Sequence, residues 1–465
     1  MEIAGKLASP IEGALAAGGD PATSPLYVFG PFFRLLVPAG VASVAYGASL
    51  WLVVVTVVTV SWIYRRVLAW VADGTGGSGL SEDEFGAWAG KLAAAITITE
   101  YTLTWLVSMA ALVTLLADRL PALTGDGRLA VAVFLTVTTA FLVNRGPRVA
   151  AATFGPATAG VLLLLWGLMG AVVVKTGLVL PPFEPMAFAP ETIGFTLGGF
   201  ARILALMTGI EVFANLVAAY SGSPSERARK AFGSLTIVMG STTAALLILG
   251  PAIFRYADPL RGDVSVFTQM MDAVLPSGLS RIGTGIGAAV LLSACATAAQ
   301  GLQNLGHGLA LRHYLPESLA ARNRFDVAAR PVWLAAAICS LCFVLFGTRE
   351  ETYLALYAAG VFVLLAMTAW ACVRRLRRDD GPRSLALLGA LLAAGLTSLA
   401  TVIVFVERFS EGAWSYLLLL PVLYGVLSWV RSQRGPPSTR CDRLGRGVAC
   451  SCPGLGAPTV SSRPA

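Results

Sequence analysis

Charge is what this chain has least of. Only 13% of its 465 residues are Asp, Glu, Lys or Arg, about half the usual share for a soluble domain, while 56% are hydrophobic and the mean hydropathy is +0.73. That balance excludes an ordinary soluble globule. It also excludes a nucleic-acid-binding domain, because the bases behind the net charge of +8 sit in short clusters between apolar stretches. Histidine is nearly absent: His307 and His313 lie beside Arg312 at one end of an apolar segment and read as interfacial. No Walker spacing, nucleophile elbow or metal-ligand cluster occurs, so no enzyme and no cofactor is expected. No order of basic, apolar and small-residue regions at the start suggests a cleavable signal peptide. The seven cysteines do not form a disulfide or zinc framework. Cys295, Cys339, Cys342 and Cys372 fall in apolar segments, and Cys441, Cys450 and Cys452 in a Pro/Gly/Ser-rich tail.

What is there instead is a series of long apolar segments. A membrane-crossing helix needs about 20 such residues. By that measure twelve are expected, near 14–36, 41–63, 87–117, 128–145, 154–180, 192–221, 231–254, 280–312, 331–347, 352–373, 383–406 and 413–431. The loops between them alternate. One set holds Arg65 and Arg66, Arg145 and Arg148, Arg227 to Lys230, and Arg374 to Arg378; the other is poorer in bases and mixed with Asp118, Glu184, Glu350 and Glu411. The positive-inside rule makes the first set cytoplasmic and puts both termini there. The expected organisation is a short cytoplasmic arm over 1–13, a transmembrane domain over 14–432 and a disordered cytoplasmic tail over 433–465. Residues 73–86, Gly-rich and acidic, are expected to be a flexible loop.

Two apolar segments are interrupted, and each interruption carries an acid. The first reads Gly18-Gly19-Asp20-Pro21-Ala22-Thr23-Ser24-Pro25-Leu26-Tyr27 and the sixth Met207-Thr208-Gly209-Ile210-Glu211. A carboxylate at bilayer depth costs roughly 2.5–3.5 kcal/mol on the gentlest scale, so one that is present usually works. Paired broken segments point to a transporter's binding site. Asp20-Pro21 also fits a helix cap and first-turn proline near the interface, and Glu211 also fits a protonated acid bonded across helices. Thr208, Glu211 and Asn215 have the spacing of one helix face. The third segment adds Glu100 and Tyr101, with Glu100, Thr104 and Ser108 at i, i+4 and i+8 forming a polar strip. Tyr357 lies in the tenth segment. Several acids with hydroxyl oxygens suit a small hard cation or protons, and an acid at the break would repel a substrate carboxylate.

These residues carry a resemblance. Gly19-Asp20-Pro21-Ala22-Thr23-Ser24-Pro25-Leu26-Tyr27 resembles the first-helix signature Gly-Asp-x-x-Thr-Ser-Pro-Leu-Tyr of the KUP/KimA type of potassium–proton symporter, within the amino acid–polyamine–cation (APC) superfamily. The stretches Glu100–Ser108, Thr208–Glu211 and Leu356–Phe362 resemble that group's third-, sixth- and tenth-helix motifs, so the likeness runs over roughly 14–375. The resemblance implies an all-α membrane protein of the LeuT fold, two inverted five-helix repeats plus two helices, with helices 1 and 6 discontinuous. It implies a cation site of Asp20, Tyr27, Tyr101, Thr104, Ser108, Thr208 and Tyr357, with Glu100 and Glu211 in proton coupling. The implied partners are a small cation or other small substrate, protons, the bilayer of the cell membrane and a second copy as homodimer. An amino acid or polyamine permease of the same fold is the alternative, and a non-transporting sensor or subunit a third reading. Three departures stand out: Glu100 replaces an Asp, Arg202 falls inside the sixth segment where it could displace a cation, and the tail after Trp429 is short.

Overall fold

Helix caps written into the sequence set where the chain turns into the bundle. The computed structural model describes residues 7–71, 75–123, 125–261, 264–325, 327–378 and 384–437; most of the expected tail, with its three cysteines, lies outside them, as do residues 1–6, 73 and 74. Ser9 accepts the Glu12 amide at 3.2 Å, Glu12 accepts the Ala8 amide at 2.8 Å, and Pro10 stands at the first helical position. The first helix, α1 (Pro10–Ala17), therefore begins four residues before the expected span. It runs into α2 (Gly19–Thr23), a tight turn over Ser24–Leu26, and α3 (Phe29–Leu36).

The remaining helices follow in order: α4 (Ala42–Trp70), α5 (Gly76–Phe85), α6 (Ala87–Ala117), α7 (Gly125–Val143), α8 (Pro147–Thr176), α9 (Ile193–Ile203), α10 (Ile210–Asn215), α11 (Pro224–Tyr256), α12 (Val266–Val274), α13 (Ser277–Leu311), α14 (Glu317–Ala320), α15 (Ala329–Phe346), α16 (Glu350–Arg378), α17 (Ser384–Glu407) and α18 (Tyr416–Arg434). Among the described residues, eleven stretches are long and apolar enough to cross a membrane, with α9 and α10 together making one of them. The first expected span is delivered as short pieces, none of membrane length. A reciprocal Ser223/Glu226 capping box starts α11 at Pro224, seven residues earlier than the apolar run alone suggests.

Burial sorts these helices. Most of α6, α16 and the α9–α10 stretch is enclosed by protein, whereas α7, α15 and α18 expose most of their apolar surface, as a lipid-facing ring would. The enclosed helices carry the acids and hydroxyls.

Two expectations are corrected here. The segment 73–86 is not a loop throughout, because Gly76–Phe85 is the helix α5. Its Gly-rich start has poor intrinsic helicity, so packing rather than propensity holds it. Thr208 does not share a helix with Glu211. After α9 and a tight turn over Leu204–Met207 the chain extends at Thr208 (φ −59°, ψ 142°) and reverses at Gly209 (φ +86°) before α10 begins. A left-handed residue is cheap for glycine alone, so Gly209 makes this break.

Candidate functional site

The two interruptions meet. A Cβ placed on Gly209 would lie 2.8 Å from the Pro21 ring and 3.2 Å from an Asp20 carboxylate oxygen, so the sixth-segment reversal presses directly on the first-segment acid. Asp20 is 5% exposed. The Tyr357 hydroxyl of α16 donates to both its oxygens, at 3.3 and 3.4 Å, and accepts from Thr104 of α6 at 3.0 Å. Asp20, Tyr357 and Thr104 thus form one chain of contacts across three elements.

Around it the other expected residues divide. Thr208 is fully buried at the break, its hydroxyl bonded back to the Ala205 carbonyl at 2.8 Å. Thr23 does the same to the Asp20 carbonyl at 2.6 Å. Both hydroxyls satisfy local backbone that a regular helix would have satisfied itself. Tyr27 lies 3.4 Å from Ser24 and not on Asp20; it lines a cleft of about 50 Å³ that also touches Arg34, Asp118, Arg128 and Glu350. Tyr101 is half-buried with its ring packed on Gly301 of α13, where any Cβ would fall 2.5 Å from the ring. Ser108 is buried on α6, one turn beyond Thr104, and makes no hydrogen bond to the Asp20 group among the described residues. Glu100 stands one turn from Thr104 in the other direction. It is 8% exposed, and among the described residues its carboxylate has neither a hydrogen bond nor an ion pair. Such a group calls for a proton, a cation or water.

Glu211 is not part of the Asp20 cluster. Its carboxylate accepts from the Tyr64 hydroxyl of α4, from the Gly77 amide of α5 at 3.0 Å and from Thr368 of α16 at 3.3 Å. Tyr357 and Thr368 are eleven residues apart on one helix, which places the two acids at levels roughly 16 Å apart along it. Glu211 plugs the N-terminus of α5, a favourable place for negative charge. The fit requires glycine: a Cβ on Gly77 would come within 2.3 Å of Glu211 and 2.1 Å of Thr368. The other end of α5 is held by ion pairs from Glu82 to Arg312 and from Glu84 to Arg378, the latter at 3.0 Å.

Arg202 makes no hydrogen bond or ion pair to the Asp20 group among the described residues. It pairs with Glu411 and donates to the Gly198 carbonyl at 3.0 Å, while Arg408 holds the same Glu411 at 2.9 Å. Together with the Arg34–Glu351 pair these groups line a cavity of about 440 Å³ at the far end of the bundle from α5.

Sequence reasoning missed Tyr64, Gly77 and Thr368, the donors to Glu211, and Thr158 and Ser293, whose hydroxyls would meet a Cβ on Gly19 at 3.3 and 3.2 Å. Single hydroxyls in apolar helices look like packing residues in a linear reading. The glycines that open α5 read as loop residues in the sequence and gave no sign of a helix. Taken together, the Asp20 group offers a buried acid with neighbouring hydroxyls and a second acid, Glu100, nearby: an environment for a small cation or a proton.

Comparison with known proteins agrees with this architecture. The family model described as amino acid permease matches residues 14–427. The potassium transporter KimA of Bacillus subtilis (strain 168) is 23% identical over 373 residues, 77% of this chain. The chain spans only 60% of that relative's length. The crystal structure of MhsT in complex with L-phenylalanine, at 16% identity, superposes with a TM-score of 0.52 over 88% of this chain and 100% of that one. That neighbour has the LeuT fold, the all-helical arrangement expected from the sequence.

Proposed function

Because the chain belongs to the amino acid permease family and is an integral membrane transporter, we propose that it carries potassium or a similar monovalent cation together with protons, by alternating access. The observation that supports this most is Asp20, buried where the two helix breaks meet and touched by the Tyr357 hydroxyl. Broken helices in this fold class receive a substrate's carboxylate on free amides, and a carboxylate already at that point repels it. A cation is attracted. In this reading Asp20, Tyr357 and Thr104 with Tyr27, Tyr101, Ser108 and Thr208 line the cation path. Glu100, with no hydrogen bond or ion pair among the described residues, takes the coupling proton, and Glu211 closes the arginine-rich side through α5. In the same reading that side faces the cytoplasm of a cell-membrane protein that has both termini inside and acts as a homodimer. The KimA relative lends support at low identity.

Polyamines are cations as well, so a polyamine or amino acid permease is the second reading, favoured by the family's description. Rubidium uptake into proteoliposomes, with and without a pH gradient and beside a labelled amino acid and polyamine panel, separates the two. Proton-stimulated rubidium accumulation untouched by the organic substrates is the expected result. Accumulation of an amino acid or polyamine with rubidium inert would overturn the proposal.

A further inference from the structure

Away from the Asp20 group, a groove of about 680 Å³ opens on the flank of the bundle between α5, the start of α6, α16 and α17. Its walls are apolar, built from Phe85, Trp88, Met367 and Trp370, with the two tryptophans about half exposed. The Trp370 indole N–H donates to Ser398 at 3.1 Å, which joins α16 to α17 along the groove. Apolar flanks are ordinary in a membrane protein; the rim of this one is not.

Arg374, Arg377 and Arg378 line the same groove at its arginine-rich end. Glu84 accepts from Arg378 at 3.0 Å and lies 3.9 Å from Arg374, so two guanidinium groups share one carboxylate. Arg374 also sits over the Phe85 ring at 5.4 Å. Arg377 is exposed and, among the described residues, has no hydrogen bond or ion pair. Bases in the last turn of a helix complement its dipole, and bases at a membrane face follow the topology rule. Neither reason requires three of them to converge on one apolar slot flanked by interfacial tryptophans.

We propose that this groove binds an anionic phospholipid, its acyl chain lying along Phe85, Trp88, Met367 and Trp370 and its phosphate held by Arg377 with Arg374 and Arg378. Guanidinium groups match phosphate oxygens in paired hydrogen bonds. Basic pockets between membrane helices are where such headgroups bind. Charge also argues against a second copy of the chain as the occupant. A two-fold contact through this face would set one arginine rim against the other. A phosphate here shares Arg374 and Arg378 with Glu84, and so sits at the end of α5 opposite the one that caps Glu211.

The test uses the full chain, purified, delipidated and offered phosphatidylglycerol or phosphatidylcholine in equal amounts, with bound lipid read by native mass spectrometry. Phosphatidylglycerol should be retained preferentially. Neutralising Arg374 and Arg377 to Gln should lower its retention about fivefold per arginine and leave phosphatidylcholine unchanged, while Arg377→Lys keeps most of it. Met367→Trp, which fills the groove and leaves the arginines in place, should also reduce retention, and covers the case of a double variant that does not fold. Equal retention of the two lipids overturns the proposal, as does a preference that survives both changes. Displacement by inorganic phosphate alone would make this a free-ion site. Disulfide capture of a dimer through Trp370→Cys, with lipid absent, would make it a subunit interface. Either result also overturns the proposal. None of these readouts depends on which substrate is transported.

Discussion

Gly209 and Asp20 confront each other across the two broken segments: the residue that reverses the chain at φ +86° has no room for a side chain because the carboxylate lies 3.2 Å from where a Cβ would stand. Conformation and space therefore impose glycine twice over. Gly209→Ala should lose about 1–2 kcal/mol to backbone strain alone and, by pushing on Asp20 and Pro21, should cut transport at least about tenfold. Thermal unfolding in detergent and rubidium uptake measure the two effects separately; an alanine variant with normal uptake would show that the breaks do not need to touch.

Tyr357 joins Asp20 to Thr104, and Tyr357→Phe removes only the oxygen that does so. A hydrogen bond to a charged group is worth about 1.5–3 kcal/mol, so the half-saturating cation concentration should rise by roughly tenfold or more with little change in maximal rate. Concentration-dependent rubidium uptake reads this directly. A fall in maximal rate at unchanged half-saturation would instead assign Tyr357 to the conformational step.

Glu100→Gln keeps shape and removes the charge of the one expected site acid that has no partner among the described residues. Uptake should no longer respond to an imposed pH gradient, while membrane insertion is unchanged. Proton-driven accumulation at the native level in this variant would disprove the relay role.

Gly77→Ala puts a methyl group where Glu211 and Thr368 now sit within 2.3 and 2.1 Å, which should unseat α5. Cys372, buried on α16, then becomes accessible from the arginine-rich face. In a background with the other cysteines replaced, its maleimide labelling should rise several-fold, and no change would mean that α5 adapts without moving.

Glu411 neutralises two arginines, Arg202 and the almost fully enclosed Arg408. Breaking such a pair from one side typically costs 3–5 kcal/mol when it is buried; with Glu411 a third exposed, about half of that is expected. Glu411→Gln should therefore lower the unfolding temperature markedly, yet leave cation half-saturation within about twofold, since the contacts of Arg202 are to Glu411 and the Gly198 carbonyl rather than to the Asp20 group. A large shift in cation affinity would link this cluster to the site after all.

The broken segments were readable because their cause is local: glycine and proline permit the break, and an acid in an apolar run is conspicuous. The Tyr357–Thr104 link was half readable, as two hydroxyls in different segments with no indication that they met. The helical state of Gly76–Phe85 was not readable, because glycine disfavours a helix and the compensating partners, Glu211, Arg312 and Arg378, lie more than a hundred residues away. Arg202 was an anomaly for the same reason. Its partner Glu411 is 209 positions distant, and without it a base in an apolar segment looks like a competitor for the site.

The short stretch before α1 has a consequence of its own. Leu7 pairs side by side with the chain after α10, its amide on the Ala219 carbonyl and its carbonyl on the Ser221 amide, both at 3.0 Å, while the Pro10 carbonyl is held by Ser234 of α11 at 2.6 Å. The arginine-side halves of the first and sixth segments are in effect riveted together. Any opening toward that side must swing them as one lever, and a chain shortened past Leu7 would lose the rivet while keeping Asp20, Tyr357 and Thr104.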